Sequence, residues 1–203
     1  MAVEIYYYPL RSILDSDFYR PGYRCTSSMA TVRFVEQRMS LQDGITRLLE
    51  LVDEEFVPPL TSEKRASVSR APGEGGATDI SGYLDRCLDR PMIGAFDDGR
   101  LVGFCSFERL EDSDALDEFT PTNHVEIIAV DEPHRGRGLA TQMYQLLLTD
   151  LPPTRHAPAV STKTWSTNDA HIAILENLGF EEVARLPEDR GVGIDTLYFA
   201  RRV

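Results

Sequence analysis

Residues 125–149 read VEIIAVDEPHRGRGLATQMYQLLLT. The apolar, β-branched run from Val125 to Val130 predicts a buried strand. Asp131, Glu132 and Pro133 end it in a turn, and His134-Arg135-Gly136-Arg137-Gly138 follows. From there Leu139, Met143, Leu146 and Leu147 fall at helical spacing. The segment is therefore strand, glycine-rich turn, helix. Such a turn aims several unpaired backbone N–H groups at one point, and the helix dipole adds partial positive charge there. Gly136 and Gly138 lack the Cβ atoms that would hold a ligand away from the backbone. The predicted object is an anion cradle suited to a phosphate, with a plain tight helix start as the competing reading.

Two familiar phosphate cradles do not fit. A P-loop needs Lys-Ser/Thr after its last glycine, and Leu139-Ala140 stands here. A dinucleotide fingerprint needs a third glycine where this chain has Thr141. Arg135, Gly138 and Ala140 instead form R-x-x-G-x-A after a strand and Asp-x-Pro. That pattern resembles the acyl-CoA pyrophosphate loop of the GNAT superfamily of N-acyltransferases. A second motif resembles the same family. Residues 168–180, NDAHIAILENLGF, place an Asn at a helix start and L-G-F at its end, in the right order after the first motif. The hairpin over 91–107 is similar to the family's second and third strands. The resemblance covers roughly residues 90–200.

The rest of the chain sets bounds. Its 203 residues suffice for one well-cored domain, and 42% hydrophobic with 27% charged residues is ordinary for a globular protein. A net charge of −12 opposes general nucleic-acid binding, which needs a basic footprint. The same acidity suits either solubility or attraction of a cationic acceptor. Cys25, Cys87 and Cys105 are odd in number and widely spaced, as expected of reduced thiols and not of a disulfide frame or metal site. No apolar run nears membrane-spanning length, and MAVEIYYYPL lacks a basic segment followed by an apolar one. The expectation is a cytoplasmic protein with no membrane partner.

Several further elements are expected. Residues 3–8 read as a strand, and Tyr23–Cys25 and Thr31–Val35 as short strands. A helix is expected from Ser40 to about Phe56, with Leu41, Ile45, Leu48, Leu49 and Val52 on one face. Its acidic end, Asp53-Glu54-Glu55, is a solvated helix terminus or an acidic lip for a cationic acceptor. Residues 70–78 form a glycine-rich loop, and Asp79–Leu88 a short helix with Ile80, Tyr83, Leu84 and Cys87 inward. Asp98-Gly99 marks a hairpin within 91–107. Strands are expected over Ala159–Lys163, Phe180–Leu186 and Gly193–Arg201. A helix capped by Asn168 and ended by Gly179 lies between the first two.

The resemblance implies a mixed α/β fold with a central, mostly antiparallel sheet, flanked by helices and splayed into a notch. It implies one domain over residues 1–203, with 1–90 building the acceptor side and 91–203 the acyl-CoA core. Acetyl-CoA or another acyl-CoA would be co-substrate, with no metal. The cofactor would lie along the backbone of Ile128, Ala129 and Val130. Its pyrophosphate would meet Gly136, Arg137, Gly138, Leu139, Ala140 and Thr141, with Arg135 alongside and Asn168 near the sulfur. The acceptor would be a primary amine of a small molecule or protein, and a homodimer accords with family habit.

Attack by an amine needs a base, because a lysine-type ammonium has a pKa near about 10.4. A base contributes about 10²–10⁴-fold. His124 and Glu126 lie two apart on the expected strand and are the candidate bases, and the Val130 N–H is the oxyanion donor the family would use. Many members carry a tyrosine acid where this chain has Leu175; Tyr144 and His171 are the substitutes within reach of the sequence. A non-catalytic acyl-CoA-binding or structural module of the same shape is the rival.

Overall fold

The computed structural model describes residues 30–62 and 79–203. The strands expected at 3–8 and Tyr23–Cys25, and the loop at 70–78, lie outside those residues.

Seven strands, β1 (Thr31–Val35), β2 (Met92–Asp97), β3 (Arg100–Leu110), β4 (Thr122–Val130), β5 (Ala159–Trp165), β6 (Glu181–Gly191) and β7 (Ile194–Arg202), form one sheet. Their order is β1-β2-β3-β4-β5-β7-β6, and every neighbouring pair is antiparallel except β4–β5. Four helices flank it: α1 (Gln42–Val52), α2 (Ser81–Asp89), α3 (Leu139–Thr149) and α4 (Asp169–Asn177). This is the mixed, mostly antiparallel α/β fold expected. The β2–β3 hairpin turns at Asp98 and Gly99, both with positive φ (48° and 79°), as a two-residue turn matched to strand twist requires.

The first helix is shorter than its pattern. Its α-helical part is Gln42–Val52, with 3-10 turns at Arg38–Leu41 and Asp53–Glu55. Ser40 does not cap it, since its hydroxyl donates to the Gln37 carbonyl. At the far end the Asp53 carboxylate accepts from both the N–H and the hydroxyl of Thr61, which folds the chain back. The apolar face is as expected, with Ile45, Leu48, Leu49 and Val52 buried.

The helices divide the core in two. α1 and α2 cover one sheet face, packing Ile45, Leu48 and Cys87 against Met92, Phe104, Ile127 and Ala129. α3 and α4 cover the other, packing Met143, Tyr144 and Leu175 against Ile93, Cys105 and Val125. Residues two apart on a regular strand share a face. Val125 and Ile127 do not. The register supplies the reason: Ser106 pairs with Ile127 and Phe107 with Val125, so Glu126 is an extra residue, a bulge in β4.

The bulge falls where β5 leaves. Parallel pairing runs from Thr122–Ala159 to Val125–Thr162 and stops there. A bulge bends its strand and adds local twist. β4 therefore stays with β3 while β5 departs, and the sheet opens into the expected notch. Close approach on the β3 side holds β4 in place. A Cβ on Gly103 would stand 2.9 Å from the Ala129 carbonyl oxygen, which is backbone and cannot swing aside. Gly103→Ala is expected to lower stability by about 1–3 kcal/mol through overpacking. Chemical denaturation measures it, and an unchanged midpoint would contradict the close approach.

A cleft at the fork of the sheet

The notch is one wall of a cleft of about 540 Å³, within the roughly 300–1,000 Å³ typical of small-molecule sites. Glu126, Ile128, Ala129 and Val130 line it from β4, and Thr162, Thr164 and Trp165 from β5. The backbone on the β4 side is sorted by hydrogen-bond alternation. The Asp131 N–H donates to the Val102 carbonyl at 2.8 Å, and Ala129 lies opposite Phe104. Alternate residues of an antiparallel strand direct their N–H and C=O to the same neighbour. Ala129 therefore spends its backbone groups on β3, while those of Ile128 and Val130 face the open side. Of the three residues expected along the cofactor, Ala129 has its backbone paired with β3, and Ile128 and Val130 do not.

The glycine turn closes the cleft at the end of β4. Gly138 is the N-cap of α3 at φ 75°, and Gly136 has φ 70°. No atom lies within 4 Å of a Cβ built on Gly136, and only the Gln142 amide at 3.9 Å near one on Gly138. The left-handed backbone, not crowding, is what calls for glycine here. The first helical bond runs from the Gln142 N–H to the Gly138 carbonyl at 2.9 Å. The N–H groups of Leu139, Ala140 and Thr141 thus have no acceptor within the helix. Arg135, Gly136, Gly138, Leu139, Ala140 and Thr141 all line the cleft. Arg137 is exposed and does not.

Three side chains, Arg47, His134 and Arg135, fix the turn. Arg47 of α1 donates to the Asp131 carboxylate at 2.8 Å and to the Leu101 carbonyl at 2.7 Å. His134 Nε2 meets the Asp97 carboxylate at 3.2 Å. Arg135 donates to the Val130 carbonyl and to the Glu55 carboxylate, each at 2.9 Å. Glu55 lies at the acidic end beyond α1 that the sequence offered as a lip, and it faces Arg135. Phe56 and Trp165, with ring centroids 5.6 Å apart, form an aromatic wall that no sequence pattern announced.

The two candidate bases part company. His124 is buried, lies outside the cleft lining, and meets the Ser161 hydroxyl through Nδ1 at 2.9 Å. Burial, helped by the charges of Lys163 and Arg90, lowers its pKa to about 3. Glu126 does line the cleft. Its carboxylate accepts from Arg86 Nε at 3.0 Å and from Arg90 Nη1, and Arg90 also bridges to Glu108 at 3.0 Å. The bulge residue thus lines the cleft, and Arg86 of α2 and Arg90 just beyond it clamp its carboxylate.

At the other end Asn168 caps α4, accepting the His171 N–H at 3.3 Å, and both residues line the cleft. His171 is held by Tyr144, and Leu175 is fully buried core.

A profile of the acetyltransferase (GNAT) family matches residues 45–180, about two thirds of the chain. The chain belongs to that family. As a GNAT-family acetyltransferase it is an enzyme of the class expected, and solved structures share its fold at low identity. An N-acetyltransferase from Staphylococcus aureus Mu50 is 17% identical with TM-score 0.58, over 86% of this chain and 99% of that one. The yncA protein of Salmonella typhimurium, solved with its cofactor acetyl-CoA, is 20% identical with TM-score 0.57, over 85% and 93%. The ribosomal-protein-S18-alanine N-acetyltransferase of Escherichia coli is 15% identical with TM-score 0.59, over 86% and 94%. No curated protein sequence matches.

The residues present fit acyl-CoA. Unpaired helix N–H groups at a glycine turn suit a pyrophosphate, and the open backbone of Ile128 and Val130 suits an amide-bearing arm. Gly138→Glu would set a carboxylate in the cradle and force a strained φ. Acetyl-CoA binding measured by titration calorimetry is expected to be lost in this variant, and wild-type affinity would contradict the cradle.

Proposed function

We propose that this enzyme moves an acetyl or other acyl group from acyl-CoA to a primary amine of a small molecule or protein by direct attack. One observation carries the proposal: a backbone cradle for the cofactor opens into the same cleft as a carboxylate, Glu126. The co-substrate supplies an activated thioester. The amine forms a C–N bond as the C–S bond breaks, and no covalent enzyme intermediate is required.

Glu126 is the base. At neutral pH only about one lysine-type amine in a few thousand is uncharged. A carboxylate that attracts the ammonium and then takes a proton from it recovers part of that deficit. Arg86 and Arg90 hold the Glu126 carboxylate in place. His124 is set aside because its low basicity and its position behind the cleft deprive it of the role. The Val130 N–H, on the open side of β4, stabilises the oxygen that gains charge as the amine attacks.

Thiol release from acetyl-CoA with a panel of amines tests the proposal. Amine-dependent release is expected, and binding without release from any amine would favour a non-catalytic acyl-CoA-binding module. Glu126→Gln is expected to lower kcat by about 10²-fold or more with acetyl-CoA affinity unchanged. His124→Gln is expected to leave the pH–rate profile above pH 5 as in wild type. Equal losses in both variants would remove Glu126 from its assigned role.

A further inference from the structure

We propose that the acceptor is a small monoamine on an apolar, aromatic-sized body seated against Phe56 and Trp165, and that Arg190 is the positioning residue of that wall. The proposal rests on the acyl-transfer reading and names the class of amine the cleft takes.

The cleft passes through the sheet, and its two sides differ. Thr164 of β5 meets Asn168 and His171 of α4, each at 3.2 Å, on the face that α3 and α4 cover. Side chains alternate along a strand, so Lys163 and Trp165 turn to the other face. Phe56 packs there against the core of α1 and α2, and Arg86 of α2 holds Glu126 there. Glu55, Phe56, Glu126, Lys163 and Trp165 all line the cleft. The glycine turn begins α3, which covers the opposite face. The amine therefore has the α1–α2 side of the fork, where Glu126 stands.

Charge on that side does not call for a polycation. Among the described residues its carboxylates are Glu55 and Glu126, and each already meets a cation. Glu55 pairs with Arg135 at 2.9 Å, and Glu126 pairs with Arg86 at 3.0 Å and with Arg90. What faces the body of an acceptor is apolar: Val52, Phe56 and Trp165. The two rings lie 5.6 Å apart, tilted by 49°. Aromatic faces and edges favour another ring or an equally broad apolar group over a hydrated chain.

Arg190 holds this wall together. It is only 7% exposed, although it lies in the β6–β7 hairpin. Its Nε donates to the Thr196 hydroxyl at 2.9 Å, and its Nη1 donates to the Val57 carbonyl at 2.8 Å. Thr196 is the strand partner of Trp165, and Val57 follows Phe56 in the chain. The guanidinium carbon lies 5.6 Å from the Trp165 ring centroid, within cation–π reach. The Thr196 hydroxyl passes its own hydrogen to the Asp189 carboxylate at 2.6 Å. One planar fork thus fixes one ring through its face and the other through the backbone beside it. A lysine ammonium has no such fork.

Thiol release from acetyl-CoA is compared for phenethylamine, ethylamine and spermidine. kcat/KM is expected to be about tenfold higher, or more, for phenethylamine than for either of the others. Phe56→Ala and Arg190→Lys are each expected to reduce the preference for phenethylamine over ethylamine by about fivefold or more, with acetyl-CoA affinity as in wild type. A variant that is merely less stable loses rate with both amines and keeps their ratio. Trp165 is the only tryptophan in the chain, so its emission reports this wall alone. A saturable change is expected when phenethylamine is added to the coenzyme A complex. A preference for spermidine, or an unchanged ratio in both variants, would overturn the proposal. No release with any amine would overturn the acyltransferase reading; the Trp165 titration then decides the wall, and constant emission would overturn it too.

Discussion

The extra residue in β4 is the constraint on which the site depends. A sheet whose neighbouring strands pair along their full length exposes few backbone groups, because each is spent on its neighbour. Glu126 breaks that rule at one position. Beyond it β4 follows β3, β5 diverges, and the N–H groups of Ile128 and Val130 are left on the open side, where Arg135 already takes the Val130 carbonyl. The same bulge moves Ile127 and Ala129 onto the α1–α2 face while Val125 stays on the α3–α4 face. One insertion thus opens the cleft, divides the core between the two faces and places Glu126 in the cleft wall.

Charge is arranged locally against the bulk. The chain carries −12, yet the groups that fix the cleft are mostly arginines paired with single carboxylates. Arg47 ties α1 to the end of β4, and Arg86 and Arg90 tie α2 to the bulge. Arg135 and Glu55 are more exposed, at 39% and 49% of their side chains, so their pairing is weakly held. A polyanion arriving at the glycine turn competes with Glu55 for Arg135 at little cost, whereas the Glu126 clamp persists. The anchors that shape the cleft are the buried ones.

Much of this was legible in the sequence. Helix and strand periodicities located the hairpin, α3, α4 and the C-terminal strands, and the glycine pattern marked a turn whose residues, the exposed Arg137 apart, line the cleft. What escaped is non-local. Two residues apart on β4, His124 and Glu126 look equivalent in the sequence. Only β5 beside one and α2 across from the other make the first a buried neutral ring and the second a cleft carboxylate. Thr162 and Thr164 read as ordinary strand residues, and their partners on β4 and α4 come from folding. Phe56 follows the end of α1, where no periodicity speaks for it, and meets Trp165 more than a hundred residues later.

The most direct measurement is a backbone amide NMR titration with coenzyme A. The account predicts that the largest shifts fall on the N–H groups of Ile128, Val130 and Gly136 to Thr141, with Ala129 shielded by its bond to β3. Binding whose largest shifts lie away from the fork, on β6 or the outer face of α2, would contradict it, as would an absence of shifts altogether.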